Sequence, residues 1–330
     1  MTLRSIVFAV LCAAGAAVFL FGLFSGRHFT VENTAGSPFA SVMIQAPHET
    51  RMVLVGDIML SRLIGKLMAG TEDYGFIYAS TTDAIRAADI AFANLESPLS
   101  LRGTASGNKY SFRADPRTVE GLAAAGFDAV SVANNHIWDY GEDAFSDTLS
   151  ILKKSGITPV GGGDTYDEAH APRIITRGET RVAFLAYTNL LPPRLGEKEA
   201  APAVARYTDD ILKADIVRAK ELADVVVVSF HWGDEYQTKH SAEQKLVAHL
   251  AIDAGATIVV GHHPHVVQEV EEYGGGYIAY SVGNFVFDQN FSKDTKRGLA
   301  LLVTIKDGAL AAVTTRTVAF TDDYQPYFSE

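Results

Sequence analysis

The side chains best able to hold a metal ion occur in short groups along this chain. They are Gly56-Asp57, Asn94-Leu95-Glu96, Asn134-Asn135-His136, His231 and the run Gly261-His262-His263-Pro264-His265. Three of the ten histidines fall within four positions of that last run, which concentrates imidazole in one place. His263 and His265 flank a proline, and in extended backbone an i, i+2 pair points to one face. Carboxylate, imidazole and amide oxygen together suit Mn²⁺, Fe or Zn²⁺ better than a soft-metal thiolate site would. One or two such ions can activate water near neutral pH, and a pair can hold both oxygens of an in-line phosphoryl displacement. Taken singly, each residue has a plainer reading. Asp57 after Gly56 reads as a turn residue or a helix N-cap. Glu96 reads as a solvated loop residue, Asn134 and Asn135 as turn formers, and His231 beside Trp232 as a hydrogen-bonded core histidine.

What joins these groups is their position: each stands where a short apolar run ends. Runs at 52–55, 90–94, 129–132, 225–230 and 257–260 read as strands and lead directly into the polar residues. Further strands are expected at 181–186, 266–270, 277–281 and 299–305, and helices at 61–68, 82–88, 117–125, 144–154, 208–221 and 241–254. Gly126, Gly156 and Gly255 stand where three of those helices should stop. Strands alternating with helices describe an α/β layered domain, and the closing strands without helices suggest that a second sheet completes the core. In open α/β sheets, binding sites gather beyond the carboxyl ends of the strands. Five strand ends carrying metal-capable groups therefore predict one site.

In this order, the motifs resemble the calcineurin-like metallophosphatase superfamily. Their wording resembles one branch of it, the capsule synthesis CapA (poly-γ-glutamate capsule) family. The segments that carry the likeness are VGDIMLSR at 55–62, ANLESPL at 93–99, YSFRADP at 110–116, VANNHIWDYG at 132–141, SFHWGDE at 229–235, GHHPHVVQ at 261–268 and SVGNFVFDQ at 281–289. The resemblance implies a four-layer α/β/β/α sandwich. It implies metal ligation by Asp57, Glu96, Asn135, His231, His263 and His265, with His262 as the alternative to His263. Glu96 would bridge, and His136 would act on the leaving group. Two positions depart from the superfamily pattern: Met59 stands where a ligating histidine is usual, and Glu96 replaces a shorter aspartate. A thioether is a poor ligand for a hard cation, so one metal position should be weakened. The resemblance points to capsule or exopolymer biosynthesis or export. The chemistry would be metal-dependent hydrolysis or transfer, with a non-catalytic tethered export factor or a phosphodiesterase as alternatives. Arg62, Arg113 and Asn284 are the candidate substrate contacts, and Asn284 and Asp288 also stand where they can support ligands through hydrogen bonds. Lys109, Tyr110 and Phe112 belong to a loop expected over the site, and Trp138, Trp232 and Tyr236 form its wall or pack in the core.

Composition bounds the partners. A chain of 330 residues with 48% hydrophobic and 20% charged content can bury a large core and is not disordered. A net charge of −11 argues against nucleic acid, whose binding depends on neutralising phosphates. It leaves open an anionic exopolymer or its precursor held through a cation. The single Cys12 excludes disulfides within the chain. Residues 5–26 carry no charge and are long enough to cross the roughly 30 Å apolar core of a bilayer. Residues 1–27 are therefore expected to be a transmembrane anchor or signal segment, 28–50 a linker, 51–320 the metallophosphatase-like domain and 321–330 a tail. That layout places the domain outside the cytoplasm, tethered to the membrane beside other capsule-assembly proteins.

Overall fold

The computed structural model describes residues 49–107, 109–191 and 202–329. The expected anchor and nearly all of the expected linker lie outside the described residues. Among the described residues, no helix is long and apolar enough to cross a membrane.

The first sheet is built on four parallel strands, β1 (Glu49–Ile58), β2 (Ile90–Leu95), β3 (Ala129–Ser131) and β4 (Thr158–Val160). β2 is buried along its whole length and β1 through its last seven residues, as expected for parallel strands covered on both faces. The connections contain α1 (Arg62–Thr71), α2 (Thr82–Arg86), α3 (Val119–Ala125) and α4 (Gly141–Lys154). α3 ends on Gly126 in the left-handed conformation, and Gly156, just past α4, also has positive φ. A two-stranded ribbon of β5 (Gly162–Gly163) and β8 (Ala203–Val204) and the short helix α5 (Tyr166–His170) follow.

The second sheet has four parallel strands, β7 (Thr180–Thr188), β9 (Val225–His231), β10 (Ile258–His262) and β12 (Gly276–Ala279). Antiparallel β6 (Arg173–Arg177) and β11 (Val270–Tyr273) form its edges. α6 (Asp209–Leu222) and α7 (Ala242–Ala254) supply its connections. α7 opens with a reciprocal capping box between Ser241 and Gln244, and α6 is capped by the Thr208 side chain.

Residue alternation along β9 shows how the layers stack. Val225 and Val227 join the core shared with β1 and β2, whereas Val226, Val228 and Phe230 pack with Leu212, Ile216, Val247 and Ala251 of α6 and α7. Phe92 of β2 stacks on Phe184 of β7 with ring centroids 5.2 Å apart, so the two sheets share one interior. The result is a mixed α/β fold.

Three later strands, β13 (Asn284–Val286), β14 (Arg297–Lys306) and β15 (Ala309–Phe320), join the first sheet with β16 (Pro326–Ser329). β14 lies antiparallel to the first part of β1, and β13 runs parallel to its end, pairing Asp57 with Asn284. Residues 326–329, expected in a tail, therefore pair with β15. The strand expected at 266–270 is mostly a bridge and turn; the regular pairing begins only at Val270.

Candidate metal centre

The strand-end groups meet where the carboxyl ends of the two sheets come together. Asp57 closes β1, Glu96 follows β2, and Asn134, Asn135 and His136 follow β3. His231 closes β9, while His262, His263 and His265 close and follow β10. Glu96, His263 and His265 offer ligand atoms within 4.8 Å of one another, and so do Asp57, Glu96 and His231. The first sheet thus supplies the oxygen ligands and the second the imidazoles.

Glu96 lies at the centre. Its backbone N–H donates to Ile58 O (2.8 Å), which fixes the turn after β2. Its Oε1 stands 3.6 Å from His265 Nε2, 3.9 Å from His136 Nε2 and 4.0 Å from His231 Nε2. Both carboxylate oxygens are buried without a hydrogen-bond partner. Burial, then the nearby charges of Asp57, Glu235 and Asp139, push this carboxyl well above the ordinary range. A buried acid with three imidazole nitrogens around it and no bond of its own is costly, so these groups are candidates to hold a cation.

Asp57 is fully buried, and burial alone would raise its pKa. The facing His262 and His265 rings outweigh that and hold it well below the carboxylate range. Its Oδ1 accepts from Asn94 Nδ2 (2.8 Å), and its Oδ2 accepts from the His263 backbone N–H (3.2 Å). Burial, with the neighbouring His263, lowers His231; burial, with the neighbouring His265, takes His263 down to about 3. Both rings are therefore neutral, the form that binds metal.

Further polar side chains orient these groups. Asn94 Nδ2 also lies 3.3 Å from His231 Nδ1, and Asn134 Nδ2 donates to Asn94 Oδ1 (3.1 Å) and Leu95 O (2.8 Å). Asn135 Oδ1 is 2.9 Å from His231 Nε2, which links the third strand end to the fourth. Asn284 Oδ1 faces His265 Nδ1 at 3.0 Å, while its amide donates to Gln289 Oε1 and Thr295 O. Its polar atoms are thus committed to holding His265. His136 Nδ1 lies 2.7 Å from Asp139 Oδ2, and the Phe112 N–H bonds the same oxygen at 2.7 Å. The Phe112 ring covers His136 with centroids 4.0 Å apart. Asp139 received no role from sequence, although its i, i+3 spacing from His136 within HIWDYG was the available signal.

The segment after β10 is a turn. His263 and His265 have φ of +95° and +58°, a conformation that non-glycine residues adopt at a cost of about 1–3 kcal/mol each. The two rings reach the site through this bend, 5.9 Å apart, rather than as alternate residues of a strand. Met59 is buried, and its Sδ accepts from Ser61 Oγ (3.0 Å) and Ser61 N–H (3.2 Å), so the thioether is occupied.

The remaining candidates lie around this centre. Arg62 is half exposed, forms an ion pair with Asp288 and stacks over Phe112 with its guanidinium carbon 5.1 Å from the ring centre. Arg113 donates to Arg102 O and Gly103 O and lies 4.2 Å over the Tyr140 ring. Lys109 and Tyr110 are exposed. Tyr236 is exposed too, with its ring 6.2 Å from that of His265. Trp138 packs on Phe145, and Trp232 stacks on Phe230 and donates to Tyr280 O, so both indoles belong to packing.

Comparison with known proteins identifies the family. Residues 51–289 match the family model described as bacterial capsule synthesis protein PGA_cap. The chain belongs to that family. It is 33% identical over 270 residues to the capsule biosynthesis protein CapA of Bacillus anthracis, covering 79% of this chain and 65% of that one. It is also 33% identical over 261 residues to the PGA biosynthesis protein CapA of Bacillus subtilis (strain 168), covering 77% and 67%. This PGA_cap chain therefore spans about two thirds of the length of those relatives. The crystal structure of a phosphatase from Mycoplasma pneumoniae superposes with a TM-score of 0.50 at 14% identity, covering 83% of this chain and 95% of the other. That likeness extends to the fold alone. It agrees with the α/β layering expected from the alternation of strands and helices.

Proposed function

We propose that this PGA_cap protein is a metal-dependent hydrolase or transferase acting on a capsule exopolymer or its precursor at the cell envelope. The observation that carries the reading is the Glu96 carboxylate: buried, unbonded and set among His136, His231 and His265. The ligands come from the facing ends of two sheets in a proposed four-layer α/β/β/α arrangement. Asp57, Glu96, Asn135, His231, His263 and His265 would hold one or two ions of Mn²⁺, Fe or Zn²⁺. Such an ion supplies Lewis acidity and lowers the pKa of water.

The chain's own groups account for the proton. With Nδ1 held by Asp139, His136 keeps its Nε2 for exchange, next to Glu96 and partly open to solvent. It can carry a proton to the departing oxygen or nitrogen at that atom. Phe112 covers the ring and Asp139 sets its tilt. Arg62 and Arg113 would meet the anionic groups of the polymer.

Metal analysis of the purified chain, followed by assays on γ-glutamyl and phosphoester panels, tests this reading. Bound Mn, Fe or Zn with turnover of one panel is expected. A folded protein that takes up no divalent metal rules the reading out.

A second reading has one observation in its favour. Met59 turns its sulfur onto Ser61, so one metal position lacks a ligand. That suits a membrane-tethered assembly or export factor that binds polymer together with other capsule-assembly proteins. His231→Ala and His265→Ala separate the two readings: polymer export that survives both changes favours the non-catalytic one.

A further inference from the structure

His262 is the histidine of this centre that the metal reading leaves unused. It is fully buried at the end of β10, in register with His231 of β9, and its ring lies 6.5 Å from Phe92 in the core between the sheets. Nδ1 stands 3.2 Å from Asp57 Oδ1 but out of line for a hydrogen bond, and Nε2 has no partner. Two unbonded nitrogens on a fully buried ring are costly, so this residue type requires a reason beyond packing.

The surroundings of Asp57 supply one. Oδ1 faces Asn94 Nδ2 and His262 Nδ1. Oδ2 faces the His263 N–H and His265 Nδ1, on the side where the ligand rings converge. Both side-chain groups on Oδ1 come from within the strands β2 and β10; both groups on Oδ2 come from the bend after β10. The groups of potential ligands within 4.8 Å of one another draw on His231, His263 and His265 but not on His262.

We propose that His262 is a positioning residue for the metal. Its ring lies against Asp57 Oδ1 from the core side, with Nδ1 3.2 Å away, so that Oδ2 remains presented to the ion. This steadies the carboxylate at the position where Met59 offers no ligand. The inference rests on the metal reading above, and its test separates the two.

The test is calorimetric titration of Mn²⁺, then Zn²⁺, into the purified metal-free full chain. The variants are His262→Leu, His262→Asn and His262→Gln. The Asn amide nitrogen can occupy the place of Nδ1, whereas the Gln amide reaches toward that of Nε2. Leu and Gln are expected to weaken binding by about 10–100-fold at unchanged stoichiometry, as loss of an orienting partner does, and Asn to restore it. Wild-type affinity in the Leu variant overturns the proposal in favour of packing alone. Loss of one equivalent of metal overturns it in favour of direct ligation. Should the Leu variant fail to fold, equal affinities for Asn and Gln overturn it, since the two are alike in polarity. If the unmutated chain binds neither ion, the metal reading falls and this inference with it.

Discussion

At the scale of single residues, Glu96 places stability and function in opposition. Without an ion its carboxylate is buried and unbonded, at a cost of about 1–3 kcal/mol. Glu96→Gln keeps the shape and removes the ionisable group whose charged form burial disfavours. The metal-free variant should therefore unfold at a higher temperature than metal-free wild type while binding Mn²⁺ or Zn²⁺ far more weakly. Calorimetric melting with and without metal measures both, and a variant less stable in the metal-free state would contradict the reading of Glu96. The His136–Asp139 pair makes a separate prediction. Asp139 fixes the ring through Nδ1, so Asp139→Asn should lower kcat by about 100-fold or more and leave metal content unchanged. Steady-state kinetics beside metal analysis would show it. Equal loss of metal and activity would mean that Asp139 is structural.

At the scale of elements, glycines set how closely the site strands approach. A Cβ on Gly56 would lie 1.9 Å from Gly283 O, and one on Gly261 would lie 1.8 Å from Tyr280 O. Each glycine immediately precedes a buried site residue, Asp57 or His262. Gly56→Ala must push β1 away from the Gly283–Asn284 backbone. It should cost about 3 kcal/mol, at the upper end for overpacking, and weaken metal binding by displacing Asp57. Denaturant melts of the metal-free protein check the first part, and an unchanged midpoint would refute it. This scale also shows what the sequence made legible. The apolar runs at 52–55, 90–94, 129–132, 225–230 and 257–260 fall within or along five observed parallel strands, because parallel strands buried on both faces are continuously apolar. β15 was missed because its face is largely exposed and its Thr and Ala residues alternate weakly. β13 was missed because three residues carry no period. The bend at His263–Pro264–His265 was not legible, since two positive-φ histidines are set by the site and not by local propensity. Asp139 went unassigned because its role appears only once Phe112, distant in sequence, closes over His136.

For the whole molecule, the site is a seam between two sheets. Asp57, Glu96 and Asn135 come from the first and His231, His263 and His265 from the second. Apart from this seam, the sheets are joined mainly by apolar contacts such as Phe92 on Phe184. An ion held from both sides should therefore act as a cross-link and stabilise the folded state by mass action. At 100 times its dissociation constant the gain is about 2.7 kcal/mol, which for a domain of this size is about 5 °C in Tm. The gain should also be distributed in a particular way. Hydrogen exchange should slow together at the ends of β1–β3 and at the ends of β9 and β10, because opening either sheet end breaks the same ligand set. Glu96→Gln should remove the protection at both, since its carboxylate faces the His231 and His265 imidazoles of the second sheet. Exchange that slows in one sheet alone would mean the ion is held by that sheet, and the seam would then be a matter of packing only.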